Sequence, residues 1–324
     1  MRDEKLNYQG LWRLLTQVYE EGEAKAIARM VFETRYGLSL ADLLMGRDAD
    51  IPQEELQQIA HRLLGNEPVQ YVLGETDFCG RSFHVEPGVL IPRPETAELC
   101  RMIIGKMRDG KMKDGKMRDE RLEMRDMITD EGGNTGTDGD DISQLRILDI
   151  GTGSGCIAIT LAAELPQARV TACDISPIAL RIAAGNARRH HVDIDFREVD
   201  ALSISPSSFL LPPSSKSTPT SPLWDLIVSN PPYICDSEAD EMSANVLEYE
   251  PEIALFVPDD DPLRFYRPIM NYAQSALLPG GTLWLECNPL YEEFIEERLL
   301  ELGFEDVKPH DDQFGKTRFV EAIR

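Results

Sequence analysis

The tetrapeptide Asn-Pro-Pro-Tyr at residues 230–233 contains the groups needed to orient a planar NH2 group for alkylation. The lone pair of an amide or aromatic amine is delocalised, so both hydrogens must be held while the lone pair turns toward an electrophile. Asn230 offers a side-chain carbonyl, and Pro231 offers a backbone carbonyl whose direction is stiffened by the fixed φ of proline. We predict that Asn230, Pro231 and Tyr233 are catalytic and that, with Pro232, they bind the substrate. Such positioning can lower the activation free energy of a reaction by about 7–11 kcal/mol.

A glycine-rich turn follows an apolar strand predicted at residues 145–150 and precedes an apolar helix predicted at 156–163. The turn consists of Gly151, Thr152, Gly153, Ser154 and Gly155. Glycine allows the backbone to approach a ligand closely. The spacing is Gly-x-Gly-x-Gly, whereas the pyrophosphate-binding turn of dinucleotide folds is Gly-x-Gly-x-x-Gly. With Asp149 just before it, the turn resembles the S-adenosylmethionine loop of Rossmann-like methyltransferases. We therefore predict that all five residues of the turn bind this cofactor.

Two further predicted strands end next to acidic residues. Asp174 ends the strand predicted at 168–174, at about the 20-residue offset where an acid binds ribose hydroxyls. Asp200 and Ala201 follow the strand predicted at 195–199 and should border the adenine. The asparagine of Asn-Pro-Pro-Tyr follows the next strand and should also contact the cofactor. Ligands bind at the carboxyl ends of strands in open α/β sheets, so the order of these signals predicts one site.

Composition limits the class of protein. The 324 residues suffice for two domains, and the net charge of −24 argues against a direct nucleic-acid partner. No apolar run reaches the length needed to span a membrane, and the first ten residues are polar, so we expect a cytoplasmic monomer without a targeting segment. The six cysteines are scattered and the five histidines lack ligand spacing, so we expect no metal.

The pattern along the chain changes at two points. Apolar residues at helical spacing predict a helical domain over residues 1–72, and alternation with glycine turns predicts a linking hairpin over 73–95. Residues 96–324 form the predicted sheet domain, which ends in an antiparallel strand pair. Two inserts interrupt it: a charged five-residue repeat within 105–142 and a Ser/Pro-rich stretch at 203–222. Their low hydrophobicity predicts mobile loops that do not pack.

Several motifs together resemble one family, the bacterial peptide-chain release factor glutamine methyltransferases (the PrmC/HemK family). The motifs are Gly-Glu-Thr-Asp-Phe-Cys-Gly at 74–80, Ile-Pro-Arg-Pro-Glu-Thr at 91–96, Asp-Ile-Gly-Thr-Gly-Ser-Gly at 149–155, Asn-Pro-Pro-Tyr-Ile at 230–234 and Tyr-Glu-Pro-Glu-Ile-Ala-Leu at 249–255. The resemblance covers nearly the whole chain except the two inserts. It implies an α/β fold with a Rossmann-like class I methyltransferase sheet behind a small helical bundle.

The resemblance also implies an activity. Members of the family transfer a methyl group from S-adenosylmethionine to the side-chain amide of the glutamine in the Gly-Gly-Gln motif of class I release factors, without a metal. Their helical domain helps to recognise the release factor. Arg93 and Glu95 are then expected near the substrate. Ala201 departs from the family, whose members often carry an aromatic residue there, so adenine stacking should be weaker or supplied elsewhere.

Two alternatives remain at this point. An exocyclic amino group of adenine or guanine in RNA or DNA presents the same NH2 geometry, so Asn-Pro-Pro-Tyr by itself does not separate this substrate from a glutamine. The second alternative is a non-catalytic scaffold that keeps the fold. Such a scaffold should lose Asn230 or the glycine turn, and this chain has both.

Overall fold

The computed structural model describes residues 5–113, 145–209 and 223–324. Its amino-terminal part is a bundle of short helices: α1 (Tyr8–Leu15), α2 (Glu21–Tyr36), α3 (Leu40–Leu44), α4 (Gln53–Leu64) and α5 (Val69–Leu73). Apolar side chains at helical spacing point inward, so that Leu11 of α1, Phe32 of α2 and Leu63 of α4 share one buried core. The bundle therefore has a hydrophobic core of its own.

A hairpin and a long helix connect the bundle to the sheet domain. The hairpin strands β1 (Glu75–Phe78) and β2 (Arg81–His84) pair antiparallel, as the alternating sequence predicts. Helix α6 (Pro94–Lys113) follows. The Tyr71 hydroxyl of α5 donates a hydrogen bond to the carbonyl oxygen of Val89 in the segment before α6. The helical bundle is thus bonded to the segment that leads into the sheet domain.

The prediction that residues 105–142 form an unpacked loop is wrong at the start of that stretch, because α6 continues to Lys113. Met107 of the first repeat packs against the main core, and Lys106 forms an ion pair with Glu321. The methionine of this repeat therefore supplies the apolar contact that its charged neighbours lack. The remainder of the stretch lies outside the described residues.

The Ser/Pro-rich stretch 203–222 also differs from its prediction at its beginning. Short 3-10 turns span Ala201–Ser203 and Pro206–Phe209. The Phe209 ring is buried against Trp224, with ring centroids 5.7 Å apart. The aromatic contact packs the described part of this polar segment against Trp224 of the sheet. The rest of the segment lies outside the described residues.

The main sheet of the described residues has seven strands in the order β10-β11-β9-β6-β3-β4-β5. Its strands are β3 (Leu145–Ile150), β4 (Ala168–Asp174), β5 (Ile194–Glu198), β6 (Trp224–Ser229), β9 (Leu277–Glu286), β10 (Glu305–Asp311) and β11 (Thr317–Ile323). Strands β5, β4, β3, β6 and β9 run parallel, and β11 lies antiparallel between β9 and β10. Two short strands that follow β6 in sequence, β7 (Ile234–Cys235) and β8 (Phe256–Val257), form a separate parallel pair. The predicted closing antiparallel pair is confirmed.

Both faces of the sheet are buried, which explains its continuous apolar strands. The remaining helices are α7 (Cys156–Glu164), α8 (Pro177–Arg189), α9 (Ala244–Tyr249), α10 (Tyr266–Ala276) and α11 (Glu292–Glu301). Ile147 and Leu226 pack on one face with α6 and α7, whereas Leu148 and Ile227 pack on the other face with α10. The fold is an α/β fold with a mostly parallel, doubly covered sheet behind a helical bundle.

The topology determines where a site can form. The chain adds β4 and β5 on one side of β3 and then returns to add β6 and β9 on the other. The carboxyl ends of β3, β4, β6 and β9 thus lie at the same edge, on either side of the point where the strand order reverses. In the described part of the chain, no helix is both long enough and apolar enough to cross a bilayer.

Candidate active site

A cavity of about 320 Å³ opens at this edge of the sheet. This volume lies within the range of roughly 300–1,000 Å³ that is usual for small-molecule sites. Several residues predicted from sequence line it together: Gly151, Gly153, Asp174, Asp200, Ala201, Asn230, Pro231 and Pro232. The glycine turn after β3, the ends of β4 and β5 and the Asn-Pro-Pro-Tyr segment after β6 are therefore parts of one site.

The glycine turn owes its shape to backbone conformation and close packing. Gly153 has a φ of +54°, a left-handed conformation that glycine adopts without strain. Gly155 has a φ of +83°, and a Cβ there would lie 2.9 Å from Cδ1 of Ile159 and 3.0 Å from Cβ of Ala183. Gly155 thus allows α7 and α8 to approach each other, whereas Gly153 exposes its backbone to the cavity.

Three of the five turn residues predicted to bind the cofactor are not among the described residues that line the cavity: Thr152, Ser154 and Gly155. Their contacts stabilise the turn on its buried side. The buried Thr152 hydroxyl donates a 2.7 Å hydrogen bond to Oδ2 of Asp149. The Ser154 carbonyl oxygen accepts a 2.9 Å hydrogen bond from Nδ2 of Asn186 on α8. Asp149 is fully buried behind the turn, and this burial raises its pKa to about 7.

Asp174 is held by the backbone on both sides. Its Oδ2 accepts a 2.9 Å hydrogen bond from the Gly153 amide, and its Oδ1 accepts one of 2.9 Å from the Ser176 amide. Burial nevertheless raises the pKa of Asp174. Each carboxylate oxygen can accept more than one hydrogen bond, so the group retains acceptor capacity toward the cavity.

Asp200 and Ala201, which follow β5, both line the cavity. Asp200 turns its side chain to the following backbone, where Oδ1 accepts a 2.8 Å hydrogen bond from the Leu202 amide. Val199 also lines the cavity. Two aromatic residues that the sequence did not identify, Phe256 and Phe265, line it as well, and either supplies an aromatic side chain that Ala201 lacks.

Asn230 and Tyr233 belong to a hydrogen-bonded network that the sequence did not reveal. Asn230 donates from Nδ2 to Oγ1 of Thr96 at 3.2 Å, and the Thr96 hydroxyl donates to Oε2 of Glu286 at 2.7 Å. The Tyr233 hydroxyl donates to Oε1 of Glu286 at 3.2 Å. Glu286 is only 1% exposed, and burial raises its pKa to about 7. Tyr233 does not line the cavity, since its hydroxyl bonds inward to Glu286.

Two sequence signals pointed toward this network without identifying it. Thr96 closes the Ile-Pro-Arg-Pro-Glu-Thr motif. Glu286 ends the apolar strand β9, and a charged residue at such a position is unusual unless it has partners. Because β9 pairs in parallel with β6, Glu286 lies at the same edge as the Asn-Pro-Pro-Tyr segment.

Arg93 and Glu95, the other predicted substrate residues, do not line the cavity. Arg93 instead pairs with Glu250, with 2.6 Å between Nη2 and Oε1, and the Glu250 side chain is 1% exposed. The other Glu250 oxygen accepts a 2.9 Å hydrogen bond from the Ile91 amide. These contacts tie the segment before α6 to the loop that follows α9, and the nearby Ile253 lines the cavity.

Comparisons with known proteins agree with this architecture. A family model described as "PrmC N-terminal domain" matches residues 12–74, and one described as "Methyltransferase domain" matches residues 147–211. The chain is 40% identical to the release factor glutamine methyltransferase of Bacteroides thetaiotaomicron over 317 residues, which cover 96% of each chain. It is 35% identical to that of Flavobacterium psychrophilum over 311 residues, which cover 95% of this chain and 94% of the relative.

A relative from Streptococcus pneumoniae with the same name is 32% identical over 309 residues, with 94% of this chain and 93% of the relative covered. These matches span both the helical bundle and the sheet domain. The predicted resemblance and the predicted fold are therefore confirmed. The chain belongs to the family of release factor glutamine methyltransferases.

Proposed function

We propose that this protein methylates the side-chain amide nitrogen of the glutamine in the Gly-Gly-Gln motif of class I release factors, with S-adenosylmethionine as donor. Membership of the family supports the reaction class. The observation that carries the proposal for this chain is that Asn230 and Pro231 line the same cavity as Gly153 and Asp174. The cavity thus combines a pair of oxygen acceptors suited to an NH2 group with residues suited to a nucleoside.

The residues around the cavity fit S-adenosylmethionine. When bound, this cofactor supplies a methyl group on a positively charged sulfur. Gly151 and Gly153 bring backbone to the cavity surface, and Asp174 offers carboxylate oxygens for ribose hydroxyls. Asp200 adds a second acidic group, which suits a cationic ligand that carries no phosphate. We assign the apolar region around Ala201 and Phe265 to the adenine ring.

The proposed chemistry needs orientation more than a strong base. The Asn230 side-chain oxygen and the Pro231 carbonyl oxygen accept the two hydrogens of the glutamine NH2 group, which turns the nitrogen lone pair toward the methyl carbon. As the nitrogen bonded to the methyl carbon, the carbon–sulfur bond would break and S-adenosylhomocysteine would leave. The alkylated nitrogen then loses one proton to solvent. Tyr233, bonded to Glu286, fixes the backbone of the Asn-Pro-Pro-Tyr segment during this step.

We further propose that the helical bundle contributes to recognition of the release factor. The hydroxyl of Tyr249 at the end of α9 donates a 2.6 Å hydrogen bond to the Gly65 carbonyl oxygen at the end of α4. The next residue, Glu250, pairs with Arg93. A protein bound to the bundle would thus lie close in structure to the loop that contains Ile253 at the cavity rim.

Mass spectrometry of the release factor tests the proposal directly. After incubation with the protein and S-adenosylmethionine, the Gly-Gly-Gln peptide should gain the mass of one methylene group on its glutamine. Duplex DNA and ribosomal RNA, incubated in parallel, should remain unmethylated. Methyl transfer to either nucleic acid, with an unchanged release factor, would replace a protein substrate by a nucleobase and overturn the proposal.

A further inference from the structure

We propose that Thr96 and Glu286 are positioning residues that determine which atom of the Asn230 amide faces the substrate. The inference deepens the proposed function and rests on it, because an NH2 substrate is what gives the orientation of Asn230 its importance. The two residues come from distant parts of the chain, the first turn of α6 and the end of β9. Both are buried, Thr96 at 2% exposure and Glu286 at 1%.

The direction of each hydrogen bond follows from the number of protons available. An ionised carboxylate can only accept, so the single proton of the Thr96 hydroxyl lies on the 2.7 Å bond to Oε2 of Glu286. The Thr96 oxygen can then only accept from its other neighbour, the Asn230 amide at 3.2 Å. The group that donates there is Nδ2. Because Asn230 lines the cavity, Oδ1 is the amide atom left for a ligand.

The opposite amide orientation would be unproductive. Rotating the Asn230 amide by half a turn would bring Oδ1 to Thr96, where two acceptors would face each other. It would also turn Nδ2 to the cavity, where two donors would meet when an NH2 substrate binds. An amide has nearly the same shape in both orientations, so packing distinguishes them poorly. The ionised Glu286 distinguishes them through the Thr96 proton.

The surroundings of Glu286 bear on its protonation. Tyr233 donates to its second oxygen, Arg318 of β11 contributes a nearby positive charge, and Glu95 of α6 contributes a negative one. Burial outweighs these effects and raises the pKa of Glu286 to about 7. Below this pH the protonated carboxyl group can donate to Thr96, which can then donate to Oδ1 of Asn230. The productive orientation loses its advantage as the pH falls.

A pair of Thr96 variants tests the inference. Thr96→Val keeps the shape but removes the hydroxyl, and we expect kcat at saturating cofactor to fall roughly 10-fold, on the scale of a lost hydrogen bond in a charged network. Thr96→Ser retains the hydroxyl and should restore kcat to within about threefold of the original protein. The Kd for S-adenosylhomocysteine should stay unchanged in both variants, because the cofactor residues are untouched.

The pH profile provides a readout that a merely structural role would not change. In the unsubstituted protein and in Thr96→Ser, kcat should rise with pH around a midpoint of about 7, the pKa of Glu286, and level off about one pH unit higher. In Thr96→Val and in Glu286→Gln the part of this rise that Glu286 causes should disappear, since the carboxylate no longer controls Asn230. Asp149 also has a raised pKa, but it is present in every variant and cancels from the comparison.

Thr160→Val is the matched control, because Thr160 is a fully buried threonine of α7 that lies outside the network. Its kcat and pH profile should match those of the unsubstituted protein. The inference is overturned if Thr96→Val keeps the original kcat and pH profile, or if Thr96→Ser is as slow as Thr96→Val. If Thr96→Val does not fold, the kcat of Thr96→Ser and the profile of Glu286→Gln decide the matter.

The assay separates this inference from the proposed function. If the unsubstituted protein fails to methylate the Gly-Gly-Gln peptide, the proposed function is wrong, and the inference falls with it. If that protein methylates the peptide and the Thr96 variants behave like Thr160→Val, only the positioning role is wrong.

Discussion

The two sides of the cavity are built in different ways. On one side, which we call the cofactor wall, Gly153 and Asp174 are bonded to each other across 21 positions of sequence, and Asp174 bonds to Ser176 two positions away. On the other side, the amide wall, Asn230 bonds to Thr96 across 134 positions, and Thr96 bonds to Glu286 across 190. The bonds of the cofactor wall join residues at most 21 positions apart in the sequence, whereas those of the amide wall join residues at least 134 positions apart.

This difference separates the two tasks of the enzyme. The hydrogen bonds of the cofactor wall form between the turn after β3 and the end of β4, within one strand–turn–helix–strand unit and the residues just after it. The amide wall requires β6, β9 and α6 to be in place together. Changes in the cofactor wall should therefore alter cofactor affinity, whereas changes in the amide wall should alter turnover. The predictions below test this division, beginning with the largest expected effect.

Replacing Asn230 by alanine should have the largest effect, because it removes an acceptor that acts directly on the reacting group. We expect kcat to fall by roughly 10²–10³, the scale measured for loss of one preorganised polar partner. The Kd for S-adenosylhomocysteine, measured by calorimetry, should change little. Steady-state methylation of the release factor measures kcat.

Asn271→Ala is the control, since Asn271 is an exposed asparagine of α10 that accepts a hydrogen bond from Arg298. It should leave both kcat and Kd unchanged. An Asn230→Ala variant with normal turnover would remove Asn230 from catalysis, and one that fails mainly in cofactor binding would erase the distinction between the two walls.

The same difference decides how much of the site the sequence predicted. Gly151, Gly153 and Asp174 were found because a glycine turn between an apolar strand and a helix, with an acid at the end of the next strand, forms a short local pattern. The parallel sheet and its closing antiparallel pair were found for a similar reason. In each case, the pattern that predicts an individual strand or turn lies within a short stretch of sequence.

The amide wall required knowledge of which strands are neighbours. Thr96 and Glu286 meet only because β9 lies beside β6 and α6 packs on the sheet. The local sequence around neither residue predicts this contact. Arg93 shows the same dependence on the assembled fold. Its guanidinium group pairs with the buried Glu250, a partner that the local sequence does not indicate, and its place near the substrate stays a prediction.

Replacing Asp174 by asparagine should weaken cofactor binding. The variant keeps the size of the side chain but turns one acceptor oxygen into an NH2 group that faces a backbone amide of Gly153 or Ser176. Hydrogen bonds to charged groups contribute about 1.5–3 kcal/mol, so Kd for S-adenosylhomocysteine should rise roughly 10- to 100-fold. With the cofactor at saturation, kcat should remain within about threefold of its original value.

Asp195→Asn serves as the control, because Asp195 is an exposed acid of β5 that pairs with Arg197. Its affinity for the cofactor should be unchanged. If calorimetry gives the same Kd for Asp174→Asn as for the unsubstituted protein, the assignment of Asp174 to the ribose is wrong and the cofactor wall must be redefined.

Arg93→Met should affect stability, because it leaves the carboxylate of Glu250 buried without its charge partner. Breaking a buried pair costs about 3–5 kcal/mol, and since Arg93 is about one-third exposed, we expect the free energy of unfolding to fall by about 2 kcal/mol. Urea denaturation measures the change. Arg47→Met removes a more exposed pair with Asp42 and should cost less than about 1 kcal/mol. Equal losses in the two variants would mean that burial of Glu250 does not matter.

Tyr233→Phe should have the smallest effect, because the aromatic ring stays and only the 3.2 Å hydrogen bond to Glu286 is lost. We expect kcat above pH 8 to fall by about threefold, the scale of one neutral donor. The lost bond stabilised the ionised carboxylate, so the pKa of Glu286 should rise and the midpoint of the pH profile should move upward. A pH titration of kcat measures both changes.

The direction of that shift tests the division between the walls. Tyr272→Phe removes a different buried hydroxyl, that of a tyrosine on α10, and should leave the midpoint of the pH profile unchanged. A midpoint that moves downward in Tyr233→Phe would mean that the tyrosine hydroxyl had favoured the protonated carboxyl group. A shift accompanied by weaker cofactor binding would mean that the amide wall also holds the cofactor. Only an upward shift at constant Kd is consistent with a carboxylate that acts on the amide through hydrogen bonds alone.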